Sequence, residues 1–152
     1  MTRWVAVAML VCSCGPVAAQ TAPPQLFPIG QSYRAMSISG YDVSTKGLSM
    51  VISRAGGDYK ASGSAGCNTW NASVILRNTE IDFVNIAPTK KVCGKPEMAA
   101  ADAFLTSLRQ AKRWRLERVD LIITGDSAEL RLKPGLAKFK PEKKPAKKKP
   151  HR

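Results

Sequence analysis

Histidine is almost missing from the 152 residues: the single one, His151, stands next to the last position. This removes a histidine-based catalytic core or metal cage, since imidazole is the commonest general base and metal ligand. Acidic residues are scarce as well, 11 against 24 Lys and Arg, for a formal charge of +13. A spanning hydrophobic run is also absent. Trp4 to Cys14 is an apolar run of eleven residues, whereas a membrane-crossing helix needs about 20, so no transmembrane segment is expected. Cysteine occurs four times, and two of the four fall inside that run.

What is present first is an export signal. Arg3 precedes the apolar run, Gly15-Pro16 breaks it, and the small residues Val17-Ala18-Ala19 follow. This is the layout of a cleaved secretory signal over residues 1–19, with Ala19 the last residue removed. A competing reading takes Val11-Cys12-Ser13-Cys14 as a lipobox-like stretch that would acylate Cys14 and anchor the chain to the outer membrane. Cys12 fits that pattern poorly. Either way the chain is expected outside the cytoplasm, in the periplasm or secreted.

Export then decides the chemistry of the remaining thiols, Cys67 and Cys93. An even pair in an oxidising compartment reads as a disulfide. The chain-entropy account gives about 3–4 kcal/mol for closing a loop of about 27 residues. The rival is a redox-active pair. Lys90, Lys91 and Lys95 would favour a Cys93 thiolate, yet the thiols lie 26 positions apart instead of in a Cys-x-x-Cys turn. Zinc needs three or four ligands, so no metal is expected, and nothing indicates a cofactor.

Residues 20–30 form a Pro-rich linker, and short β-type segments follow. Tyr33 to Ser39 is a first strand. Leu48, Met50 and Ile52 alternate with polar neighbours, the period of a half-buried strand. Gly56-Gly57-Asp58 turns the chain into Tyr59 to Ser64. Val74 to Arg77 and Glu80 to Ile86 flank a turn at Asn78-Thr79. Pro96 to about Arg113 carries Ala101, Phe104, Leu105, Leu108 and Ala111 at helical spacing, with Pro in the first turn, acids early and basic residues late. Trp114 and Leu116 alternate with Arg115 and Glu117, and Leu121 to Thr124 and Ala128 to Lys133 flank the turn Gly125-Asp126-Ser127. The expected class is α+β: a curled antiparallel sheet of about seven or eight short strands with one packed helix. Its open face is a place for a hydrophobic ligand or a protein partner.

Gly66-Cys67-Asn68-Thr69-Trp70, the strand Ile81 to Ile86, Thr89-Lys90-Lys91-Val92-Cys93, the helix from Glu97 and the hairpin Leu121 to Leu132 occur in that order. The series resembles the META-domain (HslJ-like) family and covers about residues 31–133. Asn71 stands where the family often has glycine and is expected to keep a left-handed turn. Tyr33 replaces a common Trp. The resemblance implies a small exported or anchored bacterial protein, associated with heat shock, antibiotic tolerance or motility, with no established catalysis. It implies structural roles for Gly66, Cys67, Asn68, Trp70, Thr89 and Cys93: the cysteines staple two loops, Asn68 caps or turns the backbone, and Thr89 bonds it locally.

The charge divides unevenly: +1 over residues 1–19, +4 over 20–132 and +8 over 133–152. A uniformly basic domain of ribosomal type is thereby excluded. Residues 134–152 are rich in Pro and Lys, which blocks helix and ladder and predicts an extended, disordered arm. Lys138, Lys140, Lys143, Lys144, Lys147, Lys148, Lys149 and Arg152 are its candidate polyanion-binding residues. For an exported chain the polyanion is lipopolysaccharide, phospholipid headgroups or acidic wall polymer. Nucleic acid is the weaker partner, because Phe139 alone cannot form a stacking platform, and a plain solubilising tail is the bland alternative. The leading expectation is a non-enzymatic, stress-associated envelope protein. The rival is a small thiol-redox or hydrolytic enzyme, which would have to rely on carboxylates such as Glu80 and Asp82 that look like ordinary strand residues.

Overall fold

The structure, a computed structural model, describes residues 25–135. The expected signal with Ala19 and Cys14, the expected linker residues 20–24 and the tail cations from Lys138 to Arg152 lie outside the described residues.

Nine strands and one helix follow in order: β1 (Ser32–Ile38), β2 (Tyr41–Asp42), β3 (Ser49–Ala55), β4 (Asp58–Ala65), β5 (Asn68–Arg77), β6 (Glu80–Pro88), α1 (Lys95–Arg109), β7 (Ala111–Glu117), β8 (Asp120–Gly125) and β9 (Glu129–Pro134). From β3 to β9 the chain is an antiparallel meander. Two-residue turns join most of it, and each puts a residue at positive φ: Gly56, Gly66, Asn78 and Arg118. Only such turns match the twist of the flanking strands.

The curled sheet expected from the sequence is in fact closed. β1 pairs with β3 on one side and with β9 on the other, from Tyr33↔Pro134 to Ile38↔Leu130, with a register shift between Ala35 and Ser37. Eight strands thus form an antiparallel barrel, and β2 is a short addition to the end of β1. Closure also corrects the open binding face. That face is the barrel interior, filled by Met50, Ile52, Trp70, Ile81, Leu121, Ile123, Leu130 and Leu132, none more than 2% exposed.

The helix covers one mouth. It leaves from β6, returns into β7, and touches β1, β4, β6, β8 and β9, strands from around the whole barrel. Ala101, Phe104, Leu105 and Leu108 are its buried face, as its spacing predicts. It is shorter than expected. Ala111 belongs to β7, paired with Gly125, and is buried there, while Lys112 and Arg113 are exposed strand residues. Ladder pairing with β8 overrides the good helix propensity of Ala, Lys and Arg here, as tertiary context routinely does. Among the described residues no helix is long and apolar enough to cross a membrane.

Residues 25–30, expected as linker, cross the opposite mouth. The Phe27 ring meets Trp114 edge-on at 4.9 Å. The Gln25 side chain donates to the Leu116 carbonyl and accepts from the Leu116 N–H. At the other terminus Pro134 pairs with Tyr33, and the Gly135 N–H donates to the Ser32 carbonyl. The first two residues of the expected tail therefore belong to the barrel.

On the outer face, Ile122 is fully buried although its neighbours Leu121 and Ile123 point inward. Arg115 and Arg131 flank it across the ladder, and their aliphatic stems cover it. Glu117 bonds both guanidinium groups, Glu129 bonds Arg115, and Asp120 bonds Arg131.

Two outcomes are expected. A Cβ at Gly63 would collide with the Ser49 carbonyl, whereas one at Gly57 meets nothing within 4 Å. Gly63→Ala should cost about 1–3 kcal/mol in denaturant unfolding, as overpacking does, with Gly57→Ala near neutral. The second concerns acid. The hydrogen bond from Arg131, then that from Arg115, holds the Glu117 carboxyl below the ordinary glutamate range. A depressed carboxylate stabilises the fold above its unfolded pKa, about 4.3, and that contribution fades as pH falls through the lower folded value. Glu117→Gln should flatten the acid limb of a stability–pH curve below about pH 4.3. An unchanged limb would show that the pair network adds nothing.

Candidate functional site

The motif residues converge at the helix-covered mouth. β4 and β5 meet in the two-residue turn Gly66-Cys67, bounded by the pair Ala65↔Asn68. Gly66 has φ +71°, the left-handed value that glycine adopts at no steric cost. Asn68 and Trp70 then lie on the strand itself. The sequence placed the strand only from Val74, because Asn71 and Ala72 before it carry little β-propensity.

Trp70 points into the barrel, 2% exposed. Its ring makes edge-to-face contacts with Phe83 at 6.3 Å and Phe104 at 5.9 Å, and its Nε1–H donates to the Ser49 carbonyl at 3.2 Å. Gly63 is paired opposite Trp70. Its missing side chain is what lets the Ser49 carbonyl come close.

Asn68 stitches this hairpin to the segment between β6 and α1. Its Oδ1 accepts from the Thr89 hydroxyl and the Lys91 N–H, both at 2.8 Å, and its Nδ2 donates to the Lys91 carbonyl at 3.1 Å. Thr89 also bonds the strand: its hydroxyl accepts from the Thr69 N–H, and its own N–H donates to the Thr69 carbonyl. The disulfide Cys67–Cys93, with Cα atoms 6.5 Å apart, closes the same contact covalently. Gly66, Cys67, Asn68, Thr89 and Cys93 thus form one clasp, with Trp70 anchored below it. Thr89 reaches well beyond the local bond expected of it.

Asn71 differs from expectation. It sits in the β5 ladder opposite Ser62 and Ala87, and the left-handed residue is Asn85 on β6, φ +55°. β6 carries one extra residue there, a bulge that bends the strand. Tyr33 lines the interior at the start of β1, and burial pushes its phenol up.

Three of the hollows among the described residues bear on the site. One of about 270 Å³ lies between the clasp segment and α1, over Ala65, Pro88, Ala101 and Leu105, with Lys90, Lys91, Val92, Met98 and Asp102 around it. A second, about 450 Å³, lies beside Phe27, Leu76 and Trp114, whose indole N–H has no hydrogen-bond partner among the described residues. The third, about 520 Å³, opens where β6 and β7 diverge, and Glu80, Asp82 and Asp126 alternate there with Lys112 and Arg113. The two carboxylates considered for an enzymatic role thus face cations in an open cleft.

Sequence reasoning missed Val92 and Met98. Val92 is 95% exposed and Met98 44%. A lone apolar residue among Lys90, Lys91 and Lys95 belongs to no periodic pattern, and that isolation was the available signal.

Asn68→Ala should cost about 1 kcal/mol, the usual net worth of such bonds. Cys67→Ser with Cys93→Ser should cost about 2–4 kcal/mol under oxidising conditions. Both hold one segment, so a double-mutant cycle in denaturant should be non-additive by at least about 0.5 kcal/mol. Strict additivity would mean that they act on separate parts of the fold.

No curated protein matches the chain. Solved structures share its fold. A Burkholderia xenovorans protein determined by NMR is 17% identical, with a TM-score of 0.60 over 83% of this chain and 100% of that one. A second NMR structure is 20% identical, with a TM-score of 0.56 over 68% of this chain and 88% of its own. The META domain family matches residues 25–134, a span that includes the barrel, the clasp and the Phe27 strap. The chain belongs to the META-domain family.

Proposed function

We propose that this is an exported, non-enzymatic envelope protein that works by being held at an anionic surface through its basic tail. The observation that carries the reading is how the motif residues are used. The polar atoms of Asn68 and Thr89 bond the neighbouring backbone and each other, which makes the motif a clasp and leaves it no acid–base task. The disulfide suits an oxidising compartment, and the leader supplies the export route. Eight of the tail's residues from Lys138 to Arg152 are cationic, against Glu142. Such an arm attracts lipopolysaccharide, phospholipid headgroups or acidic wall polymer by counterion release. Association with a stress response, as in other META-domain proteins, belongs to the same reading.

Deletion should begin at residue 136, since Pro134 and Gly135 are part of the barrel. Removing 136–152 should leave the unfolding midpoint unchanged and release the protein from isolated envelopes, most clearly at low salt. Equal retention of full-length and shortened chains would overturn the tail's role. Intact-mass measurement on protein from its natural host tests export, by cleavage after Ala19 or acylation at Cys14. A mass that still includes residues 1–19 without acylation would reject it.

A further inference from the structure

The clasp holds an exposed loop still, and that loop presents apolar tips among cations. Val92 is 95% exposed, and Met98, on the first turns of α1, is 44% exposed across the 270 Å³ groove. Lys90 and Lys91 line that groove, Lys95 opens the helix, and all three are exposed. The ion pairs among the described residues lie on β7, β8 and β9 and use none of these lysines. The acids nearby are Glu97 and Asp102, both on the helix.

A single exposed valine is ordinary. This one is different in being fixed from both sides, by the Cys67–Cys93 disulfide and by the Asn68 bonds to Lys91. Ordering a loop is a main cost of binding, and here it is met in the free protein. The other loops at this mouth pack close behind. A Cβ on Gly66 would lie 3.5 Å from the Lys46 carbonyl and 3.9 Å from that of Glu97.

We propose that this loop is a membrane-docking tip. Val92 and Met98 enter the headgroup region of an anionic phospholipid bilayer, and Lys90, Lys91 and Lys95 sit at the phosphate level. Apolar side chains gain by leaving water at that boundary, while lysines there gain from the surface potential and keep their ammonium groups hydrated. The groove behind Val92 accepts a segment of acyl chain. Its 270 Å³ is below the roughly 300–1,000 Å³ of enclosed ligand pockets, which suits a dip into lipid better than capture of a free molecule. The proposal rests on the reading that the protein is held at an anionic surface, and it adds a second, tail-independent point of attachment.

The test is co-sedimentation of the oxidised chain, residues 20–152, with vesicles containing phosphatidylglycerol and with vesicles of phosphatidylcholine alone. V92D, K90E with K91E, V92W and the 136–152 deletion are compared, each checked for an unchanged unfolding midpoint. V92D should weaken binding to the anionic vesicles about tenfold, and much of that loss should persist at 0.5 M salt, where charge attraction is screened to roughly 4–5 Å. K90E with K91E should weaken binding chiefly at low salt. V92W should bind more tightly, with a blue shift of its emission, as expected for an indole at the interface. Trp70 and Trp114 are buried and supply a constant background. V92D binding as well as the parent, with the tail deletion abolishing binding, would overturn the tip and leave the proposed function standing. No vesicle binding by any form, together with tail-independent retention on envelopes, would overturn both. Vesicle binding unaffected by V92D, combined with release of V92D from native envelopes, would assign the tip to a protein partner and also overturn the lipid proposal.

Discussion

Backbone hydrogen bonds between β1 and β9 decide what kind of object this chain is. Without them the meander would be an open sheet with two bare edges and one apolar face, a form prone to pair with other chains. With them the apolar face becomes an interior, and eight strands make that interior just wide enough to fill with side chains. Trp70, Phe83 and Phe104 pack edge-to-face at one end of it. Closure also creates two mouths that need covers. The helix inserted between β6 and β7 closes one, and the Phe27 strap lies over the other. Any encounter with another molecule is then left to the mouths, the loops and the outer wall.

The family motif is geometric in this light. Within one hairpin, Gly63 admits the Ser49 carbonyl, Trp70 bonds it, Gly66 turns the chain, and Asn68 with Cys67 fastens the segment leading to the helix. Each residue type is required by one neighbour. A tryptophan placed inside a barrel this small needs both space and a partner for its N–H, and an absent side chain on the facing strand supplies the first. Trp114 is the contrasting case. Its N–H is buried and has no partner among the described residues, and its ring leans on Phe27.

Much of this was readable from the residues. The alternation of Leu48, Met50 and Ile52, the hairpin turns at Gly56 and Asn78, the helical stripe and the Cys67–Cys93 pair all correspond to local rules with a physical basis. What escaped was non-local or locally ambiguous. Closure depends on strands about a hundred positions apart, and periodicity carries no information on their pairing. In the first part of β5, Asn68, Asn71 and Ala72 carry little β-propensity and interrupt any alternation around Trp70, so its partners β4 and β6 are what reveal it as a strand. Ala111 continues a helical spacing by coincidence, and β8 claims it. The glycine expected of the motif is replaced by Asn71 without any left-handed turn, because the bend lies across the ladder at Asn85. For the clasp, the residues were legible and their bonds were not: Asn68 and Thr89 lie 21 positions apart, and only the fold shows that they meet.

The two cationic elements leave the barrel at opposite ends. Gly135 bonds Ser32 beside the strap-covered mouth, whereas Lys90 and Lys91 flank the clasp at the helix-covered one. That separation does not prevent joint action. β5, with ten residues, rises at most about 33 Å, and the 17 residues beyond Gly135 can reach about 60 Å when extended. The arm is long enough to meet the same surface as the tip. Two weak attachments joined in one molecule act at a high effective concentration, so each strengthens the other without any new contact. Their physics also differs. On the proposed reading the arm would work through charge and weaken steeply with salt, while an apolar tip fixed by a disulfide would keep its contribution as salt rises and lose it when the clasp is reduced. A protein so built would hold to an anionic surface across changes in ionic strength, and its grip would depend on the compartment remaining oxidising.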